Sequence, residues 1–128
     1  MDERERYSKG MEARRAVLGD AHVDNTLAKR TPFNEAFQDL ITRYAWGEVW
    51  TRPGLDRRTR SLLTLGMLVA LGHHDEFRMH VRAAIRNKVT REEIQEALLQ
   101  AAIYCGVPAA NAAFHIAEEV FAEIDAGR

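Results

Sequence analysis

The fold of this chain follows from one segment, Asp56-Arg-Arg-Thr-Arg-Ser-Leu-Leu-Thr-Leu-Gly-Met-Leu-Val-Ala-Leu-Gly72. Asp56 is a favourable N-cap and Gly72 a typical stop signal, so the segment predicts one helix between them. From Ser61 onward this helix is apolar on almost every side. Such a helix is buried in a core or in a subunit interface. Because a chain of 128 residues is small, burial in a subunit interface becomes the more favoured of the two explanations.

Helical periodicity continues on both sides of this segment, and no run alternates cleanly enough to be a strand. We therefore predict an all-α protein, with one domain over residues 1–128 and about six helices. Thr31-Pro32 is expected to open the second helix, and Thr90 with Glu93 forms a capping box for the fifth. Residues 20–30 are polar and are expected to form an extended connector. Besides the helix of the opening segment, helices are predicted over residues 4–18, 31–47, 73–87, 90–105 and 109–124.

Composition narrows the class of protein. The net charge is −1, yet residues 31–89 carry nine basic and six acidic groups, and nearly all the basic ones are arginines. A general nucleic-acid binder would spread lysines over its surface, so this class is disfavoured.

Cys105 is the only cysteine, which excludes an internal disulfide. The N-terminus lacks a signal-peptide core and Leu62–Leu71 is too short to span a bilayer, so we expect a cytoplasmic protein without membrane partners.

Arginines and aromatic residues alternate between Arg43 and Arg60. Five arginines fall in these eighteen residues, together with Tyr44, Trp46 and Trp50. Guanidinium groups match carboxylates in shape and charge, and the aromatic rings would supply rigid apolar walls. The segment therefore predicts a site for a small, multiply anionic molecule, although some of these arginines could instead pair with acidic residues of the chain.

Five segments, in their order and spacing, carry a resemblance to a known family: Thr31-Pro-Phe-Asn, Ile41-Thr-Arg-Tyr-Ala-Trp-Gly, Trp50-Thr-Arg-Pro-Gly-Leu-Asp-Arg-Arg-Thr-Arg-Ser-Leu-Leu-Thr-Leu, Glu76-Phe-Arg-Met-His-Val-Arg and Ile103-Tyr-Cys-Gly-Val-Pro-Ala-Ala-Asn. Together they resemble the 4-carboxymuconolactone decarboxylases, and the resemblance covers nearly the whole chain. It implies an oligomeric protein of the alkylhydroperoxidase D-like fold, commonly a hexamer. It also implies a cofactor-independent decarboxylase of the β-ketoadipate pathway, acting in protocatechuate catabolism during aromatic compound degradation.

Two other functions compete with this one. The wider superfamily includes a thiol peroxidase, alkylhydroperoxidase D, with a Cys-x-x-Cys pair ahead of a histidine. With His80 as that histidine, the two cysteine positions hold His73 and Glu76, and the peroxidase glutamate falls near Ser61. A redox protein of the same fold is therefore disfavoured. A helical interaction module without chemistry is favoured only by the apolar third helix.

The substrate implied by the resemblance is an unsaturated lactone with one carboxylate on the ring carbon next to oxygen and another on a CH₂ arm. The ring itself accepts the electrons left by CO₂, so no cofactor is needed. An arginine on the departing carboxylate would stabilise the ground state more than the transition state. We therefore expect arginines on the retained arm and the lactone oxygen. The leaving carboxylate is expected beside aromatic rings, for which Trp46, Trp50 and Tyr44 are available. The expected substrate-binding arginines are Arg43, Arg52, Arg58 and Arg60, of which Arg58 would extend the inward stripe of Leu62 and Leu65.

His80 is the expected proton donor to ring carbon, because imidazole titrates near neutral pH, and Glu76 one helical turn earlier could orient it. His73, Glu76 and His80 share one face if the helix begins before His73. That face could also be interpreted as three metal ligands, but this decarboxylation does not call for a metal, and none is expected. Alternatively, His80 is simply packed and Glu76 solvated. Tyr104 and His115 are possible additional site residues. Arg78, Arg82 and Arg86 are expected to form a ridge that pairs with acids of the C-terminal tail.

Overall fold

Every element of regular structure in this chain is a helix. The computed structural model describes all 128 residues and contains seven α-helices, one π-helical segment and no strand. The all-α prediction is confirmed, with more helices than the expected six. No helix is both long and apolar enough to cross a lipid bilayer. In chain order the elements are α1 (Glu3–Leu18), α2 (Asp20–Ala28), α3 (Glu35–Leu40), the π segment (Ile41–Val49), α4 (Arg57–Leu71), α5 (His74–Arg86), α6 (Arg91–Tyr104) and α7 (Val107–Asp125).

The chain divides into two compact units, residues 1–57 and residues 58–128. The first contains α1, α2, α3 and the π segment, and the second contains α5, α6, α7 and all of α4 after its first residue. The assignment of residues 1–128 to one domain stays a prediction.

Helix α1 has the ends that the sequence predicts. The Asp2 carboxylate accepts a hydrogen bond from the backbone N–H of Glu5 at 2.8 Å, which caps the first turn. Gly19 ends the helix with a φ of 92°, a conformation that strains any residue with a Cβ atom. The predicted first helix, residues 4–18, is therefore confirmed to within one residue.

The prediction of an extended connector over residues 20–30 is wrong, because most of it forms α2. Val23 is fully buried and anchors this helix in the first unit. Arg15 of α1 forms ion pairs with Asp20 at 3.1 Å and Asp24 at 2.9 Å. These tertiary contacts outweigh a weak local helical signal.

The second predicted helix begins later than expected and changes type. Thr31 and Asn34 exchange hydrogen bonds between side chain and backbone, so Thr31 precedes a capped turn and α3 begins at Glu35. From Ile41 the helix continues as the π segment, in which the N–H of Trp50 donates to the carbonyl of Ala45, five residues earlier, at 3.0 Å. The predicted end at Trp46-Gly47 is extended to Val49.

Helix α1 and the π segment approach each other very closely at two buried glycines. A Cβ atom on Gly10 would lie 1.8 Å from the carbonyl oxygen of Thr42, and one on Gly47 would lie 2.4 Å from the carbonyl oxygen of Arg6. Both distances are far shorter than van der Waals contact. Glycine at these two positions is therefore required for the backbones to approach this closely.

In the second unit, α4 runs between the predicted ends, and Gly72 follows it with a φ of 71°. One side of α4 is buried through Ser61, Leu65 and Val69. The opposite side is uncovered in the single chain: Leu63, Met67 and Leu71 are 50%, 55% and 67% exposed. An apolar surface of this kind is typical of a contact with another molecule.

The core of the second unit lies between α4, α5, α6 and α7, around Leu65, Phe77, Ile94 and Leu98. The capping box at Thr90 and Glu93 is confirmed. The expected arginine ridge is confirmed for two of its three members: Arg78 contacts Glu119 at 3.2 Å, and Arg82 contacts Glu123 at 3.1 Å. These pairs join α5 to α7.

Candidate functional site

The aromatic residues of the arginine-rich segment form a stacked pair in the first unit. Trp46 is buried, and its ring stacks on that of Trp50 with centroids 5.0 Å apart and an interplanar angle of 26°. Because the π segment holds Trp46, this pair is a rigid apolar surface. Arg52 lies in the exposed turn that follows.

Arg43 lies on the same π segment, three residues before Trp46. Its guanidinium group lies 5.5 Å from the centroid of the Tyr7 ring, and its Nε atom is 3.8 Å from a carboxylate oxygen of Glu3. That distance is too long for a hydrogen bond, and the buried Nε has no other hydrogen-bond partner. Glu3 also accepts hydrogen bonds from the Tyr44 hydroxyl at 3.0 and 3.1 Å. The carboxylate of Glu3 therefore contacts Arg43 only at a distance longer than a hydrogen bond.

Arg14, which is not among the residues expected from the sequence, is 4% exposed and contacts the π segment through Thr42. It donates hydrogen bonds to the Thr42 hydroxyl at 3.2 Å and to the Gln38 side-chain oxygen at 3.1 Å. Burial lowers the pKa of its guanidinium from the usual value. The sequence held a signal for it, since Arg14 falls on the buried stripe of α1 with Gly10, Ala13 and Val17.

Two of the expected arginines belong to the second unit. Arg58 does not extend the inward stripe of α4, because it pairs with Glu93 of α6 and its side chain is 40% exposed. The buried stripe begins instead at Ser61, whose hydroxyl accepts a hydrogen bond from Asn87 at 3.3 Å. A neutral, satisfied serine thus lies where the resemblance places the peroxidase glutamate. Arg60 is half-buried on the first turns of α4.

His80 is buried on α5, at 8% exposure, but its two expected neighbours are not. Glu76 is exposed one turn earlier. The helix begins at His74, with His73 as its N-cap residue in a non-helical conformation (φ −84°, ψ 79°). His73 therefore does not share a helical face with Glu76 and His80, and no group of three side chains suited to a metal ion is present.

The remaining candidates lie on exposed surface. Tyr104 is 80% exposed at the end of α6, and His115 is exposed on α7. A groove of about 450 Å³ between α4 and α6 is lined by Met67, Tyr104 and the half-buried Cys105, among others. A second groove, between α6 and α7, contains none of the expected site residues.

Comparison with known proteins identifies the group to which these features belong. The model of the carboxymuconolactone decarboxylase family matches residues 35–119, which include parts of both units. A 4-carboxymuconolactone decarboxylase of Acinetobacter baylyi is 52% identical over 124 residues, which is 97% of this chain and 92% of that protein.

Two further relatives are also named decarboxylases. A nitrosuccinic acid decarboxylase of Metarhizium robertsii is 51% identical over 102 residues, 80% of this chain and 71% of that protein. A 4-carboxymuconolactone decarboxylase sequence from Pseudomonas putida is 60% identical over 48 residues, 38% of this chain and 100% of that sequence. The family model covers more than half of the chain, and the Acinetobacter relative matches nearly all of it. This chain therefore belongs to the carboxymuconolactone decarboxylase family.

Proposed function

We propose that this protein is a carboxy-lyase that converts 4-carboxymuconolactone to β-ketoadipate enol-lactone and CO₂, in the protocatechuate branch of the β-ketoadipate pathway. The observation that carries the proposal is the 52% identity, over 97% of the chain, with a relative of that name. The location is proposed to be cytoplasmic, and no cofactor takes part.

The substrate supplies its own electron sink. When the carboxylate on the ring carbon next to oxygen leaves as CO₂, the electrons of the broken bond form a new ring double bond. The electrons of the old double bond move toward the lactone carbonyl. One proton then adds to the ring carbon next to that carbonyl, so that one CO₂ is lost and one proton is gained. The protein must hold the retained carboxylate, stabilise the charge on the lactone oxygen and deliver the proton.

Among the arginines, Arg43 is the best supported ligand of the retained carboxylate. Its only carboxylate neighbour, Glu3, stands 3.8 Å away and is shared with Tyr44 and Arg6. A substrate carboxylate at hydrogen-bonding distance would form a stronger, charge-assisted contact. Arg52 and Arg60 are secondary assignments. Arg58 is the weakest, because substrate would have to displace Glu93.

The stacked Trp46 and Trp50 rings are assigned to the leaving carboxylate. An apolar surface destabilises a carboxylate but not neutral CO₂, so it favours the transition state over the bound substrate. The close stacking of the two rings, 5.0 Å between centroids, keeps this surface in place.

His80 is assigned as the proton donor. Its imidazole is buried on α5, which keeps most bulk water away from the proton that it would deliver. Glu76 is exposed one helical turn earlier, and its proposed role is to orient the imidazole of His80. Tyr104, His115 and His73 remain secondary candidates because all three are exposed.

The Metarhizium relative suggests a second substrate of the same chemical class. In nitrosuccinic acid one carbon carries a carboxylate, a CH₂–carboxylate arm and a nitro group, which is also an electron sink. Both acids are thus succinates in which the carbon that loses CO₂ carries the sink. A protein that binds the arm and leaves the other carboxylate on an apolar surface could act on both.

A comparison of the two acids tests the proposed function. We expect purified protein to release CO₂ from both, with kcat/KM higher for the lactone by about tenfold or more, because the ring fills more of the site. CO₂ release is measured for each acid, and the products are identified by NMR. Turnover of nitrosuccinate alone would reject the lactone as substrate, and turnover of neither would reject the decarboxylase assignment.

We further propose that the protein is a homo-oligomer, with a hexamer favoured by the family resemblance. The uncovered apolar side of α4 supports this, and so do Ile103 and Val107, which are 80% and 71% exposed. In the first unit Phe37 and Leu40 of α3, and Phe33 in the turn before it, are also exposed. These surfaces would cost solvation free energy in a monomer.

Met67→Glu is expected to reduce the size of the assembly, because it places a charge in the middle of the exposed α4 surface. Light scattering coupled to size-exclusion chromatography would detect the smaller species. Ser8→Glu, on the exposed side of α1, is the matched control and is expected to keep the wild-type mass. A wild-type monomer, or an unchanged mass for Met67→Glu, would contradict this assignment.

A further inference from the structure

Arg14 is a buried positive charge without a negative partner. Its side-chain hydrogen bonds go to Thr42 and Gln38, which are both neutral, and its buried Nε atom has no hydrogen-bond partner. No carboxylate lies within 4 Å of it. Other arginines of the first unit differ, because Arg6, Arg15 and Arg30 each contact at least one carboxylate.

A buried guanidinium without a counter-charge carries a desolvation cost that a methionine side chain of similar length would avoid. Two neutral hydrogen-bond partners offset only part of this cost. Charges retained in this way are concentrated at functional sites. Arg14 therefore requires an explanation beyond packing.

The position of Arg14 connects it with the proposed anion ligand. It contacts Thr42, the residue that precedes Arg43 on the π segment. Its charge also interacts with Tyr7, and the guanidinium of Arg43 lies over the same Tyr7 ring. Arg14 and Arg43 thus both interact with Tyr7, and the Arg43 side chain is partly exposed whereas Arg14 is buried.

The charge of Arg14 also acts on a neighbouring side chain. The pKa of His22 is lowered, first by burial of its imidazole and then by the positive charges of Arg14 and Lys29. Protonation of His22 would therefore report on the charge at position 14.

We propose that Arg14 is a positioning residue for anion binding: its uncompensated charge adds to that of Arg43 in attracting the retained carboxylate, and its contact with Thr42 holds the segment that carries Arg43. The proposal rests on the proposed function in one respect only, the anionic nature of the substrate. Arg14 itself is not expected to touch the reacting atoms.

Three substitutions separate charge from packing. Arg14→Met removes the charge and keeps apolar bulk, Arg14→Gln removes the charge and keeps hydrogen-bonding capacity, and Arg14→Lys keeps the charge. We expect both neutral variants to raise KM for the lactone about tenfold, the effect of one partly screened charge, with kcat changed less than about threefold. Arg14→Lys should stay within about threefold of wild-type KM. The Tm of Arg14→Met should change little, because removal of a desolvated charge offsets the loss of the hydrogen bonds to Thr42 and Gln38.

If the role of Arg14 is purely structural, the opposite result is expected. Arg14→Met would then lower Tm and leave KM within about twofold of wild type. That pattern, or an Arg14→Lys variant as impaired in KM as the neutral ones, would overturn the proposal. If Arg14→Met does not fold, Arg14→Gln supplies the same comparison.

Succinate binding tests the proposal without turnover. Succinate carries the retained CH₂–carboxylate arm, and its Kd for wild type and variants can be measured by calorimetry. We expect weaker binding to both neutral variants, together with a raised pKa of His22 in an NMR titration. Equal succinate affinity for wild type and Arg14→Met, or no binding to wild type, would reject the role of Arg14. A failure of the lactone assay with these succinate differences intact would reject only the substrate.

Discussion

Replacement of His80 by glutamine is expected to lower kcat for decarboxylation by about two to four orders of magnitude, the usual contribution of a positioned general acid. Glutamine is close to histidine in size and polarity but cannot deliver a proton at neutral pH. The ring carbon would then have to take its proton from water. KM should change little, because His80 is not assigned to bind the carboxylates.

His74→Gln is the matched control for this variant. His74 is exposed at the first position of the same helix and has no assigned role, so its substitution is expected to leave kcat unchanged. Because His80 is buried, circular dichroism and Tm must show that His80→Gln is folded. A folded His80→Gln with near-normal turnover would show that His80 is a packing residue, and another donor would have to be found.

Gly10→Ala is expected to have the largest effect on stability. The added methyl group would lie 1.8 Å from the Thr42 oxygen, 2.8 Å from the Thr42 carbonyl carbon and 3.1 Å from the Gly47 nitrogen. All three are backbone atoms, so α1 and the π segment must separate. We expect a loss of about 3 kcal/mol in the free energy of unfolding, and a Tm lower by roughly 10 °C. KM should rise as well, because Arg43 would lose its position over Tyr7.

Gly54→Ala controls for the general effect of replacing glycine. No atom lies within 4 Å of the Cβ position at Gly54, which is in the exposed turn before α4. This variant is expected to stay within about 0.5 kcal/mol of wild type. A Gly10→Ala protein as stable as Gly54→Ala would mean that the two backbones are not as close as described.

Features set by local chemistry were predictable from the sequence. The ends of α4, the stop at Gly19 and the capping box at Thr90 depend on residues within a few positions of one another. Features set by contacts distant in sequence were not. Helix α2 depends on a buried Val23 and on ion pairs to α1, and Arg58 turns toward Glu93, thirty-five positions further along the chain.

The candidate site shows the same division. The order of arginines and aromatic residues could be read directly from the sequence, whereas the stacking of Trp46 on Trp50 could not. Neither the π-helical register nor the burial of Arg14 has a strong local signal, because i→i+4 and i→i+5 hydrogen bonding place similar demands on composition. The only signal for Arg14 was its place on the apolar stripe of α1. A charged residue on such a stripe merits inspection whenever an anionic ligand is expected.

The strongest single test of this account is CO₂ release from 4-carboxymuconolactone by the purified protein after exhaustive treatment with a chelator. We expect one CO₂ for each lactone consumed, with enol-lactone as the product and no loss of rate relative to untreated protein. Absence of CO₂ from the folded protein, or a rate that disappears on chelation and returns with a metal ion, would contradict it.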